Sequence, residues 1–145
     1  MLLLINTSNK RVCILDIFFV DLSILQPSQL YISKSKCLSI QKWFNPLDLS
    51  NFEPIPIKKL KDKIIYTDGH TRAYMAYKAG LSKIPVYWDT DDLDWTFYWK
   101  CVEACEKECI YTIADLGRRV VDEADYNVLW RNWCEELAKI LENRD

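Results

Sequence analysis

The sequence predicts an α+β protein, a small mixed sheet with helices followed by a C-terminal helical extension, and three observations carry that prediction. Runs rich in β-branched and aromatic residues recur up to Trp88. Beyond Trp88 apolar residues recur at helical spacing instead. Between the runs, Asp68-Gly69-His70-Thr71-Arg72 joins a strand to a helix and holds the only histidine and one of three glycines.

The elements follow in order. Residues 1–17 form a lead with a strand expected around Val12-Cys13-Ile14-Leu15, and Phe18–Leu22 reads as a short strand. Gln26–Leu30 reads as a turn, because Pro27 cannot continue a ladder. Lys34–Phe44 reads as a helix with Cys37, Ile40, Gln41 and Phe44 on one face, ended by Pro46. Pro54–Leu60 and Lys63–Thr67 read as a hairpin turning at Lys61-Asp62. Ala73–Ala79 continues the helix from the Asp68 turn, Gly80 stops it, and Ile84–Trp88 is the last strand expected. After that, Trp95, Tyr98, Trp99 and Val102 share a helix beginning near Asp94. Thr112–Leu116 suits a short helical turn. Tyr126, Leu129, Trp130, Trp133, Leu137, Ile140 and Leu141 keep helical period over four turns and read as packing rather than a cofactor box.

Composition bounds the rest. At 145 residues the chain can bury a core without staples, and it reads as a single globular unit. No apolar run approaches the ~18 residues of a membrane span, and Met1–Ile5 lacks the flanks of a signal peptide, so a cytoplasmic, membrane-free protein is expected. Cys101, Cys105 and Cys109 recur every four residues without a CxxC pair or a nearby histidine, which favours free thiols over disulfides or a metal site, as for Cys13, Cys37 and Cys134. Net charge is −2 but uneven: residues 1–88 carry 12 Lys and Arg against 6 Asp and Glu, residues 89–145 carry 7 against 15. The halves attract each other, or the basic half meets a nucleotide or nucleic-acid backbone.

Chemistry is expected at the turn. A glycine between strand and helix gathers unpaired backbone N–H groups and the positive end of the helix dipole in one small space, which suits a phosphate or carboxylate. Arg72 adds a planar fork of donors for the same anion. A plainer reading stays open, with Asp68 as a helix cap, Gly69 supplying a positive φ and His70 an idle surface residue.

In this order the elements resemble the ParB/sulfiredoxin fold superfamily. Pro27-Ser28-Gln29-Leu30 is similar to its early PxxL turn, Pro54-Ile55-Pro56-Ile57 to its P(I/V)xV strand, and Asp68-Gly69-His70-Thr71-Arg72-Ala73 to its phosphate-binding motif. Gly80 with Ile84-Pro85-Val86 is similar to its closing strand. The resemblance covers residues 18–89, and the helical extension at 90–145 is similar to that of small standalone ParB-like proteins. Sulfiredoxins carry a cysteine where this chain has His70, so the resemblance does not extend to sulfinic-acid repair. Partition-type ParB proteins carry Gly-Glu-Arg-Arg and a DNA-reading domain, neither of which is matched. Free-serine kinases of this fold carry Asp-Gly-His-His-Arg, closest to this loop, with a glutamate base in the early turn. Ser28 stands nearest to that base here, and Glu53 or Asp48 are the substitutes within reach of the sequence.

The resemblance implies a nucleotide- or phosphate-binding protein, or a small kinase-like phosphotransferase. His70 and Asp68 would be its catalytic residues. Gly69, His70, Thr71 and Arg72 would hold the nucleotide, ATP or ADP first, with or without Mg2+. The partner is then a nucleotide or phosphorylated small molecule rather than nucleic acid. Two other readings remain: a catalytically idle interaction module that retains a phosphate pocket, and a ParB-like DNA-binding or nuclease protein. Asp89, Asp91, Asp92 and Asp94 are read as capping the next helix rather than as metal ligands.

Overall fold

A computed structural model describes the backbone of residues 2–6 and 12–143 and the side chains from Asp16 to Asn143. The architecture is α+β. Strands β1 (Leu2–Asn6) and β2 (Val12–Asp16) pair antiparallel. Then come β3 (Phe18–Asp21), β4 (Leu25–Gln26), β5 (Ile32–Ser33), helix α1 (Lys34–Gln41), β6 (Ile55–Leu60), β7 (Lys63–Tyr66), α2 (His70–Lys78) and β8 (Lys83–Trp88). The C-terminal part holds α3 (Trp95–Lys107), β9 (Val120–Val121), α4 (Glu123–Tyr126) and α5 (Asn132–Glu142).

Five strands form the main sheet in the order β3-β8-β6-β7-β4. The β6–β7 hairpin turns at Lys61-Asp62, with Leu60 opposite Lys63 and Lys61 in the left-handed region at φ 56°. Chain reversal in two residues demands such a backbone. Strand β8 then returns parallel to β6, Val86 beside Ile55, so the two strands at the middle of the sheet contribute Ile55, Ile57, Ile84 and Val86, all fully buried. Helix α2 covers them with Ala73 and Ala76.

The acidic C-terminal part closes the same core with Cys101, Cys105, Ile113, Leu116, Tyr126 and Trp130. Charge contributes to its docking. Lys63 pairs with Glu106 at 3.8 Å, and the ammonium groups of Lys58 and Lys61 lie 4.9 and 4.1 Å from the ring centroids of Trp95 and Trp99. Those tryptophans are half-buried, whereas Trp130 is buried and stacks on Trp133 with centroids 5.4 Å apart. Among the described residues no helix is long and apolar enough to cross a membrane.

Several elements differ from the sequence expectation. Helix α1 stops at Gln41 instead of Phe44, because the N–H groups of Trp43 and Phe44 both turn back to the Ile40 carbonyl in a tightened last turn. The turn expected from Gln26 begins one residue later, since Leu25-Gln26 adds a short parallel strand beside β7. Ile84–Trp88 is not the last strand: Val120-Val121 pairs parallel with Ile32-Ser33, a two-residue ladder too short for any periodicity. Cys109 leaves the face of Cys101 and Cys105, lying exposed beyond the end of α3 at φ 59°. A π-helical turn at Asn127–Arg131 joins α4 to α5. Its wider winding rotates the apolar stripe, leaving Leu129 and Ile140 exposed while Trp133 and Leu137 stay against the core. The side chain of Cys13 lies outside the described residues.

Candidate functional site

The strand end that feeds the Asp68 turn is fixed from three sides. Thr67 donates its N–H to the Pro56 carbonyl at 3.1 Å, and its hydroxyl donates to Asp89 Oδ2 at 2.6 Å. The Tyr98 hydroxyl on α3 donates to the Thr67 carbonyl at 3.0 Å. Asp89 is buried and its other oxygen accepts the Asp91 N–H, so it is a structural clamp; Asp94 caps α3 through the Phe97 N–H.

From that anchor the chain turns into α2. Asp68 Oδ1 accepts the Gly69 N–H at 2.8 Å, and Gly69 takes φ 80°, where a side chain is strained. No side chain caps the helix. The first intrahelical bond is donated by Ala73 to the Gly69 carbonyl, which leaves the N–H groups of His70, Thr71 and Arg72 without a partner among the described residues. Three free donors and the dipole of a two-and-a-half-turn helix therefore meet at one point.

His70 is not the idle surface residue of the plainer reading. It is 4% exposed, its ring centroid lies 4.9 Å from that of Tyr66, and its Nε2 accepts the Ser28 N–H at 2.9 Å. Burial pushes its pKa down to about 3, against a smaller opposing pull from the Asp68 carboxylate. The ring is neutral, and with Nε2 accepting, its proton sits on Nδ1, which has no partner among the described residues.

Arg72 reaches sideways. Its guanidinium donates to the Glu53 carbonyl at 2.6 Å and stands 3.9 Å from the Glu53 carboxylate, tying the 53–54 segment to the helix start. Its other nitrogen lies 2.8 Å from where a Cβ on Gly69 would stand, so a side chain there would displace the guanidinium.

These residues form one side of a cleft of about 510 Å³. Asp68, Gly69, His70, Thr71 and Arg72 all line it, with Glu53 beside them. The structure thus brings every residue singled out in the turn to one place. Ser28 and Asp48 are elsewhere employed: the Ser28 hydroxyl donates to the Tyr66 carbonyl at 2.7 Å, and Asp48 caps a short turn through the Ser50 N–H. Asp68 and Glu53 are the carboxylates that line the cleft; Glu53 faces the Arg72 guanidinium at 3.9 Å and Asp68 accepts the Gly69 N–H, so a Mg2+ ion there would depend on the phosphate oxygens of its ligand. Among the described residues no group of three or more His, Cys, Asp or Glu gathers to hold a metal by itself.

The rest of the lining escaped the sequence reading. Gln29, Lys36, Ser39, Ile40, Trp43 and Asn51 make it up. A signal existed, since Lys36, Ile40 and Trp43 fall at i, i+4 and i+7, but the neighbouring stripe through Cys37 and Phe44 is equally periodic and faces the core.

The chain is similar to protein Atu1540 from Agrobacterium tumefaciens, with a TM-score of 0.46 and 14% sequence identity over 70% of this chain, and it spans 61% of the length of that one. No protein-family model and no curated protein matches it.

Proposed function

We propose that the chain binds a nucleotide or another phosphorylated small molecule by its terminal phosphate at the start of α2. The observation that carries this reading is the convergence of unpartnered donors: the N–H groups of His70, Thr71 and Arg72, with the unpartnered Nδ1–H of a buried, neutral His70, at one side of a cleft of about 510 Å³. The first N–H groups of a helix have no intrahelical partner, and water, a side chain or a ligand meets them. The cleft lies within the usual size of small-molecule sites. The order of its motifs supports placing the chain in the ParB/sulfiredoxin superfamily, with ATP or ADP as the first ligands to test.

In this reading Gly69 lets the backbone approach the phosphate, Arg72 adds charge at its flank, and His70 donates a hydrogen bond. With Nε2 already accepting from Ser28, His70 acts as a donor, not as a base. A phosphotransferase reading is supported by one further observation, that Asp68 lines the cleft with one carboxylate oxygen outside its bond to the Gly69 N–H. Asp68 would accept the proton of an attacking hydroxyl as the terminal phosphoryl passes from ATP to that oxygen, leaving ADP.

Calorimetric titration with ATP, ADP and pyrophosphate tests binding. Arg72→Ala removes a charge-assisted contact and should weaken it by about ten- to a hundredfold. Absence of binding by the wild type, or equal affinities of wild type and Arg72→Ala, overturns the proposal. Incubation with ATP and candidate hydroxyl acceptors, with Asp68→Asn as control, tests transfer.

A further inference from the structure

We infer that the part of the cleft lined by Trp43 is a platform for an aromatic base, with the indole as its stacking face, so that the ligand is a nucleoside phosphate rather than a sugar phosphate or an inorganic one. This rests on the phosphate position argued above and extends it to the other end of the ligand. Trp43 is 40% exposed, yet it is not a loose surface ring. It meets Phe44 edge-on with centroids 6.2 Å apart, and Phe44 in turn packs at 5.7 Å on Phe52, which belongs to the buried core. The indole thus has the Phe44 ring, which packs on the core, at its edge, and it lines the cleft. Other exposed aromatics, Phe19 and Trp88 among them, do not line it.

The chemistry around Trp43 fits a base. An aromatic side chain beside a groove that tracks phosphate is the arrangement by which proteins hold bases, since every base offers a π-face. Asn51 and Ser39 line the same cleft: the Asn51 amide can donate to and accept from a base edge, and the Ser39 hydroxyl, which donates to the Ser35 carbonyl at 3.2 Å, can accept. Ile40 adds apolar surface to the same lining, whereas the Lys36 ammonium is turned to the Tyr126 ring, 5.2 Å from its centroid. A purine, with more ring to overlap the indole, should stack better than a pyrimidine.

Titrations of pyrophosphate, ADP and adenosine into the full chain, its Trp43→Ala variant and its Trp43→Phe variant test the inference, with thermal unfolding as the check on folding. The wild type should bind ADP more tightly than pyrophosphate. Trp43→Ala should lower ADP affinity by about ten- to a hundredfold, the range of one base–aromatic stack, and leave pyrophosphate affinity unchanged. Trp43→Phe should keep most of it. If Trp43→Ala binds ADP like the wild type, or loses pyrophosphate as strongly as ADP, the platform is wrong. Pyrophosphate binding with no added affinity for ADP leaves the phosphate site standing and overturns the platform alone. Adenosine binding that depends on Trp43, with no pyrophosphate binding, supports the platform and removes the phosphate site. Binding of none of the three overturns both.

Discussion

Nε2 of His70 accepts the backbone N–H of Ser28 at 2.9 Å, a bond between residues 42 positions apart in the chain. Ser28 also donates its hydroxyl to the carbonyl of Tyr66, so one serine joins the end of β7 to the start of α2. The histidine is thereby a structural acceptor through Nε2, and the proposed phosphate site would use the Nδ1–H on its other edge. Its neutrality serves both roles, because protonating Nε2 would set an N–H against the Ser28 N–H inside the core.

That arrangement fixes how stability depends on pH. An unfolded chain binds a proton at His70 near pH 6.5, whereas the folded ring resists protonation down to about 3. Between these values the unfolded state holds the extra proton, so stability falls as pH falls, by up to about 1.4 kcal/mol per unit. Urea unfolding at pH 7, 6 and 5 should show the decline. His70→Gln, whose side-chain oxygen can accept from Ser28, should flatten it across pH 6.5 to 5, a window above the range of ordinary carboxylates. A wild type equally stable at pH 7 and 5 would contradict a buried neutral ring.

Tyr66 packs against that histidine, fully buried, with a hydroxyl that has no hydrogen-bond partner among the described residues. Burial alone raises its pKa. An unsatisfied buried hydroxyl costs about 1–3 kcal/mol, so Tyr66→Phe should leave stability unchanged or raise it by about 1 kcal/mol, net of the small void left behind. Denaturant unfolding reads this directly. A loss of 1 kcal/mol or more would mean that the hydroxyl has a partner.

Thiol reactivity should follow position rather than sequence spacing. Cys109 is exposed beyond the end of α3, whereas Cys101 and Cys105 are buried in the core, with burial pushing Cys105 up to about 12 and Cys101 further. Half-buried Cys134 is likewise pushed up to about 12. Alkylation of the native protein followed by peptide mass analysis should modify Cys109 first and Cys101 and Cys105 only after unfolding. Modification of Cys105 ahead of Cys109 would refute the packing of α3.

The sequence conveyed most where local chemistry decides. The hairpin at Lys61-Asp62, the helix opened by Gly69 and the α3 stripe follow from turn residues and period, and the structure places them there. It conveyed least where two distant segments meet. Nothing near Val120 announces that it pairs with Ile32, and nothing near Ser28 that its N–H faces a histidine. For the site, the turn at 68–72 stood out by composition, while the wall with Lys36, Ile40 and Trp43 was hidden because α1 has two equally regular stripes and only packing reveals which one faces the core.

Gly69 ties backbone conformation to the anion site, and its substitution separates the two contributions. At φ 80° an L side chain costs about 1–2 kcal/mol. An added Cβ would also stand 2.8 Å from an Arg72 guanidinium nitrogen and 3.2 Å from two carbons of Ile55. The Arg72 guanidinium is the end of a flexible side chain and is the group that shifts, away from the Glu53 carbonyl and the proposed phosphate position. Gly69→Ala should therefore lose stability by about 1–2 kcal/mol and also weaken pyrophosphate binding. Gly69→Asn tolerates the left-handed backbone better but carries the same Cβ. It should recover part of the stability and none of the affinity. Unfolding curves and titrations on both variants decide the matter: an alanine variant that keeps wild-type affinity would show that Arg72 does not hold the anion through the space Gly69 leaves open.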